Sequence, residues 1–348
     1  MQKKWIVMLM ILLAYNSTFA CDLCTVYLGI QPNDFTNSFA VRHRYRLFKS
    51  DYISYPFYTQ RVSSQRVGKG KINDKHIGEP TDDIQWGQPY TYSETYNSYD
   101  LVANFYLTNR IQLNGSINFS DNFIKQNDSI MANVGGIGDL NIITKYQLFN
   151  TSAVDDSITK NKFIHRITVG AGITLPTGKY NKYTVKDFVT EFKPNSIVGS
   201  AEMELDPHIQ PGTGSFSYLI LADYLLKYNS VGFNANTSYR ISTTNKNNFR
   251  LSNRFNANGS FFMLNKITSK IKLMPTFGLS YERSDYDIID GEEYIDSGGE
   301  VLFLNYGINL FINKIGIAFN YYQPAIENLH GNQPLNNSRF ITQLTYYF

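Results

Sequence analysis

The chain has 348 residues, a formal net charge of +3 and a mean hydropathy of −0.29. Tyr and Phe contribute 26 and 24 residues, whereas Cys contributes only 2. The small net charge gives no support for a nucleic-acid partner. After residue 20 no apolar run approaches the roughly 18 residues that a membrane helix needs. An aromatic-rich chain that is polar on average is typical of strands with one lipid-facing and one water-facing side.

The first 20 residues have the layout of a secretory signal peptide. Lys3 and Lys4 precede an apolar stretch at residues 5–14, and residues 18–20 read Thr-Phe-Ala, a small-x-small cleavage site. The apolar stretch is too short to span a bilayer as a helix. We therefore expect export of the chain and cleavage near Ala20.

Cys21 and Cys24 form a C-x-x-C pair at the start of the expected mature chain. No His follows Cys24, which excludes c-type haem attachment. In an oxidising periplasm two nearby cysteines form a disulfide by default. A lipid anchor on Cys21 and a soft-metal site are the other interpretations, and metal is disfavoured because no His or Met cluster lies nearby. The sequence predicts no cofactor and no resident metal.

Apolar and polar residues alternate with a period of two in many segments, such as 231–242. This alternation predicts strands with one apolar and one polar face. Each segment has about 9–16 residues, enough for a tilted strand across the hydrocarbon layer. The twelve segments are 37–49, 92–107, 111–122, 138–149, 163–175, 215–227, 231–242, 250–263, 269–282, 300–311, 315–323 and 338–348. An even count agrees with the rule for bacterial barrels.

The connectors between these segments alternate in length. Tight turns lie at 108–110, 228–230 and 313–314, and long polar segments lie at 50–91, 123–137, 176–214, 283–299 and 324–337. Short periplasmic turns and long outer loops are how outer-membrane barrels are built. The connector 150–162 is long for a turn, and 243–249 is short for an outer loop.

The fold class predicted by these patterns is all-β, a transmembrane antiparallel up-and-down β-barrel of about 12 strands. A soluble β-sandwich or propeller is the alternative, but it seldom needs such long strands with exposed aromatic residues at their ends. Interfacial girdles account better for Tyr45, Tyr106, Tyr146, Tyr224 and Tyr281. The predicted units are a signal peptide at 1–20, a periplasmic N-terminal segment at 21–36 and the barrel at 37–348.

The C-terminal segment alternates at Phe340, Thr342, Leu344, Tyr346 and Phe348. A closing strand with a terminal Phe resembles the recognition signal of the barrel-insertion machinery. An ordinary strand at the end of the chain is the alternative. We expect the insertion machinery and outer-membrane lipid as partners.

The polar faces of the strands carry nine basic and four acidic residues, which we assign to a lumen. They are Arg42, Arg44, Arg46, Lys145, Arg166, Arg240, Arg254, Lys272 and Arg339, against Asp100, Asp139, Asp223 and Glu282. An Arg or Lys facing lipid would cost about 2–4 kcal/mol at the midplane, so their shared parity favours the inward face. Asp100 is the expected partner of the arginine row at 42, 44 and 46 on the first strand.

Two interpretations of this lumen stay open. The basic excess favours a passage for anions. Alternatively, ion pairs fill a modest lumen, helped by inward Leu219, Leu221, Leu225 and Phe303.

Enzyme chemistry has little local support in the sequence. The five histidines are scattered, at His43, His76, His165, His208 and His330, and no G-x-S-x-G elbow exists. The acidic residues between 285 and 296 lack EF-hand spacing and are predicted to be a solvated loop. We predict that the chain is not an enzyme.

Three strings next to loops resemble a known family. They are Gly136-Ile137-Gly138-Asp139-Leu140, Leu175-Pro176-Thr177-Gly178-Lys179-Tyr180 and Gln210-Pro211-Gly212-Thr213-Gly214-Ser215. Over about residues 95–348 they resemble the bacterial outer-membrane β-barrel "transporter" family, also named for the MetA pathway of phenol degradation. The resemblance implies a barrel with a transport role and does not imply phenol as the substrate.

The turn chemistry of two of these strings predicts a lid. Pro176 and Gly178 end a strand, and Gly212 and Gly214 allow the loop to fold back over the rim. Residues 176–214 are therefore the predicted constriction or lid. The residues assigned to it are Pro176, Gly178, Lys179, Tyr180, Gln210, Pro211, Gly212 and Gly214.

Together these patterns predict an outer-membrane channel for passive passage of small solutes. Anionic and aromatic solutes are the two candidate classes. The alternative is a plugged structural or metal-handling surface barrel without transport. The sequence leaves the oligomeric state and the solute open.

Overall fold

The computed structural model describes residues 36–50, 91–127, 129–151, 163–189 and 197–348. The strands are β1 Ser38–Ser50, β2 Tyr92–Tyr106, β3 Ile111–Gln126, β4 Ser129–Ile137, β5 Leu140–Asn150, β6 Phe163–Leu175, β7 Tyr183–Val189, β8 Ile197–Glu204, β9 Ser217–Tyr228, β10 Val231–Ser242, β11 Phe249–Arg250, β12 Arg254–Met263, β13 Asn265–Lys266, β14 Ile271–Ser284, β15 Asp287–Ile289, β16 Glu292–Tyr294, β17 Gly299–Ile312, β18 Ile315–Leu329 and β19 Leu335–Tyr347. A one-turn 3-10 helix spans Pro207–Ile209. Within these ranges no helix is long and apolar enough to cross a membrane, a finding that does not bear on strands.

Twelve wall positions close into one antiparallel barrel. The ring runs β1-β2-β3-β5-β6-β9-β10-β12-β14-β17-β18-β19 and returns to β1, with β4 extending the wall above β5 and β13 extending β12. Closure leaves no open sheet edge in this ring. The predicted all-β up-and-down barrel of twelve strands is confirmed.

Tight turns lie at the end of the barrel that also holds Ser38 and Tyr347, which we call the lower end. Asn229 and Asn313 open two of these turns with φ of 52° and 51°, a conformation that Asn adopts more readily than most residues. In two other turns Thr108 and Thr268 accept hydrogen bonds of 3.0–3.2 Å from backbone N–H groups two and three residues ahead. These local bonds fix each hairpin register.

The outer face of the wall is apolar. Many of its large apolar side chains are exposed to the surroundings, and on a soluble domain so many in one belt would be a liability. Members of the belt include Phe39, Val41, Leu101, Phe119, Ile220, Phe261, Phe277, Ile308, Ile317 and Leu344. The alternation seen in the sequence thus places the apolar side chains outside and the polar ones inside.

The upper end of the barrel, opposite the tight turns, contains a buried apolar cluster. It draws on seven strands and on Ile209, and its largest members include Phe48, Phe303 and Tyr322. A smaller cluster of Leu225, Phe262, Met274, Phe311 and Tyr347 lies in the lower half, and Ile143, Leu219 and Leu221 form a third. The lumen is therefore partly filled by apolar side chains.

Several predicted boundaries were wrong at the upper end. The predicted loop 123–137 is a hairpin, in which β3 continues to Gln126 and β4 returns beside it after Asn127, whose φ is 47°. The predicted loop 324–337 is shorter because β18 continues to Leu329. The predicted loop 176–214 contains β7 and β8, and the small sheet β11-β15-β16 joins the connection after β10 to the one after β14. Most of the predicted loop 50–91 lies outside the described residues. In addition, Tyr106 lines the lumen and does not join an outer girdle.

Candidate functional site

Two adjoining cavities lie inside the barrel. The lower cavity, ≈ 140 Å³, is lined near the tight turns by residues that include Ser38, Tyr106 and Tyr347. The upper cavity, ≈ 170 Å³, lies beneath residues 205–215, which we call the strap. Arg42, Ser116 and Ile143 line both cavities, so these three side chains mark the junction between them.

The arginine row of β1 lines the upper cavity. The Arg42 Nε donates to Asp100 Oδ2 at 2.7 Å, and the Arg44 Nη2 donates to Asp100 Oδ1 at 2.8 Å. Asp100 sits directly across from Arg42 in the β1–β2 register and is 2% exposed. The Arg46 guanidinium lies 4.8 Å from the centroid of the Tyr96 ring, a cation–π contact. One carboxylate therefore serves two of the three guanidinium groups.

Lys145 and Arg339 also form ion pairs in the lumen. The Lys145 Nζ is 3.5 Å from Asp223 Oδ2 in the lower cavity. The Arg339 Nη1 donates to both Glu282 oxygens at 2.8 and 2.9 Å, and that pair is almost fully buried among apolar residues. The second pair fills space on one side of the barrel and lines neither cavity.

The three strings of the family resemblance meet at Asp139. Its Oδ1 accepts from the Gly178 N–H at 2.9 Å, and its Oδ2 accepts from the N–H and hydroxyl of Thr213 at 2.8 and 2.7 Å. Gly178 and Gly212 pack so closely that a Cβ on either would lie 2.7–2.8 Å from the backbone of the other. The Asp139 carboxylate thus ties both ends of the long β6–β9 connection to the barrel wall.

The strap enters the lumen mouth and is held there by amide hydrogen bonds. The Asn122 Nδ2 donates to Ile209 O at 2.9 Å, and the Asn245 Nδ2 donates to Thr213 O at 3.1 Å. Gln210 and Asn181 exchange two bonds of 3.0 and 3.2 Å. Ile209 itself is 1% exposed, in the upper apolar cluster.

His208 connects the strap to the small upper sheet. Its Nδ1 lies 2.8 Å from Asp206 Oδ1, its Nε2 lies 2.5 Å from Asp287 Oδ2 on β15, and its ring meets Phe249 edge-on. Burial alone would lower the pKa of His208, but the two carboxylates outweigh burial and raise that pKa well above its ordinary value. Burial likewise opposes the charged form of Asp287, yet the charges of His208 and Arg254 lower its pKa. This three-residue contact is a charged latch.

The predicted lumen residues divide between the cavities. The lower cavity includes Arg42, Lys145, Arg166 and Asp223, and the upper one includes Arg42, Arg44, Arg46, Asp100, Asp139, Arg240 and Arg254. Glu282 and Lys272 line neither cavity, although Lys272 pairs in register with the lumen-side Phe311.

The predicted lid residues lie either in the strap or in the segment 176–180 that follows β6. Gln210, Pro211 and Gly212 line the upper cavity, and the Lys179 N–H donates to Ile137 O at 2.8 Å. Gly214 has a φ of 67° and lies against the Tyr180 ring. Pro176 follows the last residue of β6. Cys21 and Cys24 lie outside the described residues, as does the signal peptide.

Sequence reasoning missed the latch and Arg110. In the sequence His208 is one of five scattered histidines, and its partner Asp287 lies in the predicted solvated loop. The spacing Asp206-x-His208 is a local signal, but Asp287 is 79 residues away. Arg110, on a tight turn, lines the lower cavity.

No family model and no curated protein matches the chain. Among solved structures, the chain is similar to an outer membrane channel from Pseudomonas putida F1, with a TM-score of 0.56, 15% identity, 92% of this chain covered and 100% of that one. It is also similar to the β domain of the Bordetella autotransporter BrkA, with a TM-score of 0.43, 7% identity, 90% of this chain covered and 100% of that one. The likeness to the Pseudomonas channel supports the β-barrel fold, and membership of the family named in the sequence analysis stays a prediction.

Proposed function

We propose that this chain is an outer-membrane channel for passive passage of small solutes, with a preference for anions. The observation that supports this most is the charge of the two cavity walls, which carry eight Arg or Lys side chains and three Asp. The basic residues are Arg42, Arg44, Arg46, Arg110, Lys145, Arg166, Arg240 and Arg254, and the acidic ones are Asp100, Asp139 and Asp223. A narrow passage lined by an excess of one sign concentrates ions of the opposite sign.

Placement in the outer membrane is supported by the exterior of the barrel. A closed ring satisfies the backbone of every wall strand, as a hydrocarbon surrounding requires. The apolar belt then contacts outer-membrane lipid. The last strand ends at Tyr347, and the next residue, Phe348, stacks on Phe39 with ring centroids 5.4 Å apart. The proposed contact with the insertion machinery is made by this strand and Phe348.

In this proposal the described conformation is the closed state of the channel, and the strap closes it. It covers the upper cavity, is tied down at Asp139 and is latched through His208. Opening would require residues 205–215 to leave the lumen mouth. Residues 205–215, which overlap the predicted lid 176–214, are therefore proposed as the gate.

A plugged barrel is the second candidate function, favoured by the apolar cluster at the upper end. Phe48, Ile209, Phe303 and Tyr322 fill one side of the lumen with hardly any exposed surface. In that case the barrel would serve as a surface anchor, and the basic residues would be structural.

Planar-bilayer recordings of the purified full chain separate the two candidates. In a KCl gradient, the channel proposal predicts a reversal potential closer to the equilibrium potential of chloride than to that of potassium. The triple variant Arg42→Gln, Arg44→Gln, Asp100→Asn removes two positive charges and their shared carboxylate, and it should shift the reversal potential towards that of potassium. The control Lys266→Gln with Lys270→Gln, at an exposed turn, should leave the potential in place.

The plugged-barrel alternative predicts that no conductance is recorded. Wild type and the latch variant Asp287→Asn would both stay closed at every voltage. That result would refute the channel.

A further inference from the structure

The lower cavity combines a cationic wall with an apolar one. Leu225, Phe311 and Tyr347, from the lower apolar cluster, line it. The rings of Phe311 and Tyr347 lie 6.5 Å apart between centroids. Arg42, Arg110, Lys145 and Arg166 line the same cavity, where Asp223 is the one carboxylate among the described lining residues.

Two of these cations, Lys145 on β5 and Arg166 on β6, lie on neighbouring strands and line the lower cavity. Lys145 on β5 pairs in register with Gly170 on β6, and Gly172 is the next lumen-side position of that strand. The space over these glycines is filled, because a Cβ on Gly170 would meet Leu221 and one on Gly172 would meet Ile143. The open space beside Lys145 is therefore the lower cavity that its side chain lines. Its 3.5 Å distance from Asp223 exceeds the 2.7–2.9 Å of a strong charge-assisted hydrogen bond. An ammonium group has three donors, so it can serve a further oxyanion.

We propose that the lower cavity is a binding site for a small organic monoanion with an apolar body. The carboxylate lies at Lys145 and Arg166, and the apolar body packs against Phe311 and Tyr347. The volume of ≈ 140 Å³ restricts the ligand to a compact molecule, because pockets for drug-sized ligands have several hundred Å³. This site deepens the proposed channel function and rests on it for the route by which the anion arrives.

Three probes separate the charge from the apolar body. Calorimetric titration of the purified full chain in detergent uses benzoate, acetate, which has the charge alone, and benzyl alcohol, which has the body alone. Benzoate should bind at least about tenfold more tightly than either, since each half of the ligand contributes about 1.4 kcal/mol or more. Heats from empty micelles are subtracted.

A charge-matched pair of double variants tests the residues. Lys145→Gln with Arg166→Gln should raise the Kd for benzoate at least about tenfold. Lys266→Gln with Lys270→Gln removes the same charge from an exposed turn and should leave Kd unchanged. If the first double variant does not fold, Thr168→Glu adds a carboxylate to the lower cavity wall and should weaken binding in the same direction.

Bilayer recordings keep this proposal distinguishable from the channel proposal. Chloride conductance with no benzoate binding overturns the site and leaves the channel in place. Benzoate binding without conductance supports the site and overturns the channel. Equal Kd values for benzoate and acetate would overturn the apolar half of the site, and equal values for the two double variants would overturn the cationic half.

Discussion

Asp139 shows how a single carboxylate organises the mouth of the lumen. It receives three hydrogen bonds, from Gly178 and Thr213, which lie 39 and 74 residues away along the chain. A carboxylate accepts from all these donors, whereas an amide offers one oxygen and presents two N–H donors instead. The role of this residue is therefore anchoring the strap, in addition to lining the upper cavity.

We expect Asp139→Asn to loosen the strap. Hydrogen bonds to a charged acceptor contribute about 1.5–3 kcal/mol each, so a loss of about 2 kcal/mol or more in the free energy of unfolding is expected. Urea unfolding in lipid vesicles measures this loss, and bilayer recordings should show more frequent opening. Asp223→Asn is the matched control, because the Asp223 carboxylate is bound to the Lys145 ammonium and not to the strap. Equal effects of the two substitutions would contradict the anchoring role.

At the scale of strands and loops, the sequence predicted the wall strands, whose side chains alternate regularly. It did not predict β4 or the contacts between distant segments. The wall strands were recognisable because their side chains alternate between lumen and exterior. β4 was missed because Ser129–Ile137 holds Gly135 and Gly136 and leaves the alternation. The convergence at Asp139 and the latch at Asp287 join segments far apart in sequence, and no local rule pairs such residues.

The latch between the strap and β15 should depend on pH. Because the pKa of His208 is raised in the folded chain, its contribution to stability is complete below the ordinary His value of about 6.5 and is lost as pH rises through the raised pKa. Asp287, whose pKa is lowered, contributes above its ordinary value and loses that contribution as pH falls through the lowered one. Asp206, Glu94 and Arg254 are further charged groups that act on this pair.

The comparison of wild type with His208→Gln measures the latch. The difference in free energy of unfolding should be largest at mildly acidic to neutral pH and should shrink as the solution becomes alkaline. His165→Gln, on the wall strand β6, is the control. A difference that grows with rising pH would rule out a charged His208 in the latch.

At the scale of the whole molecule, the apolar belt and the closed ring together predict that hydrocarbon surrounds the barrel. Leu101 tests it, because this side chain is 60% exposed in the middle of β2, between Val41 and Ile117 on the adjacent strands. In a bilayer Leu101→Arg places a charge near the midplane and should cost about 2–4 kcal/mol. On a water-exposed surface the same substitution would fall within about 0.5 kcal/mol. Leu107→Arg, 62% exposed at the tight turn, is the matched control and should cost about 0–1 kcal/mol. Urea unfolding in vesicles compares the two variants, and small equal costs would mean that the belt does not face lipid.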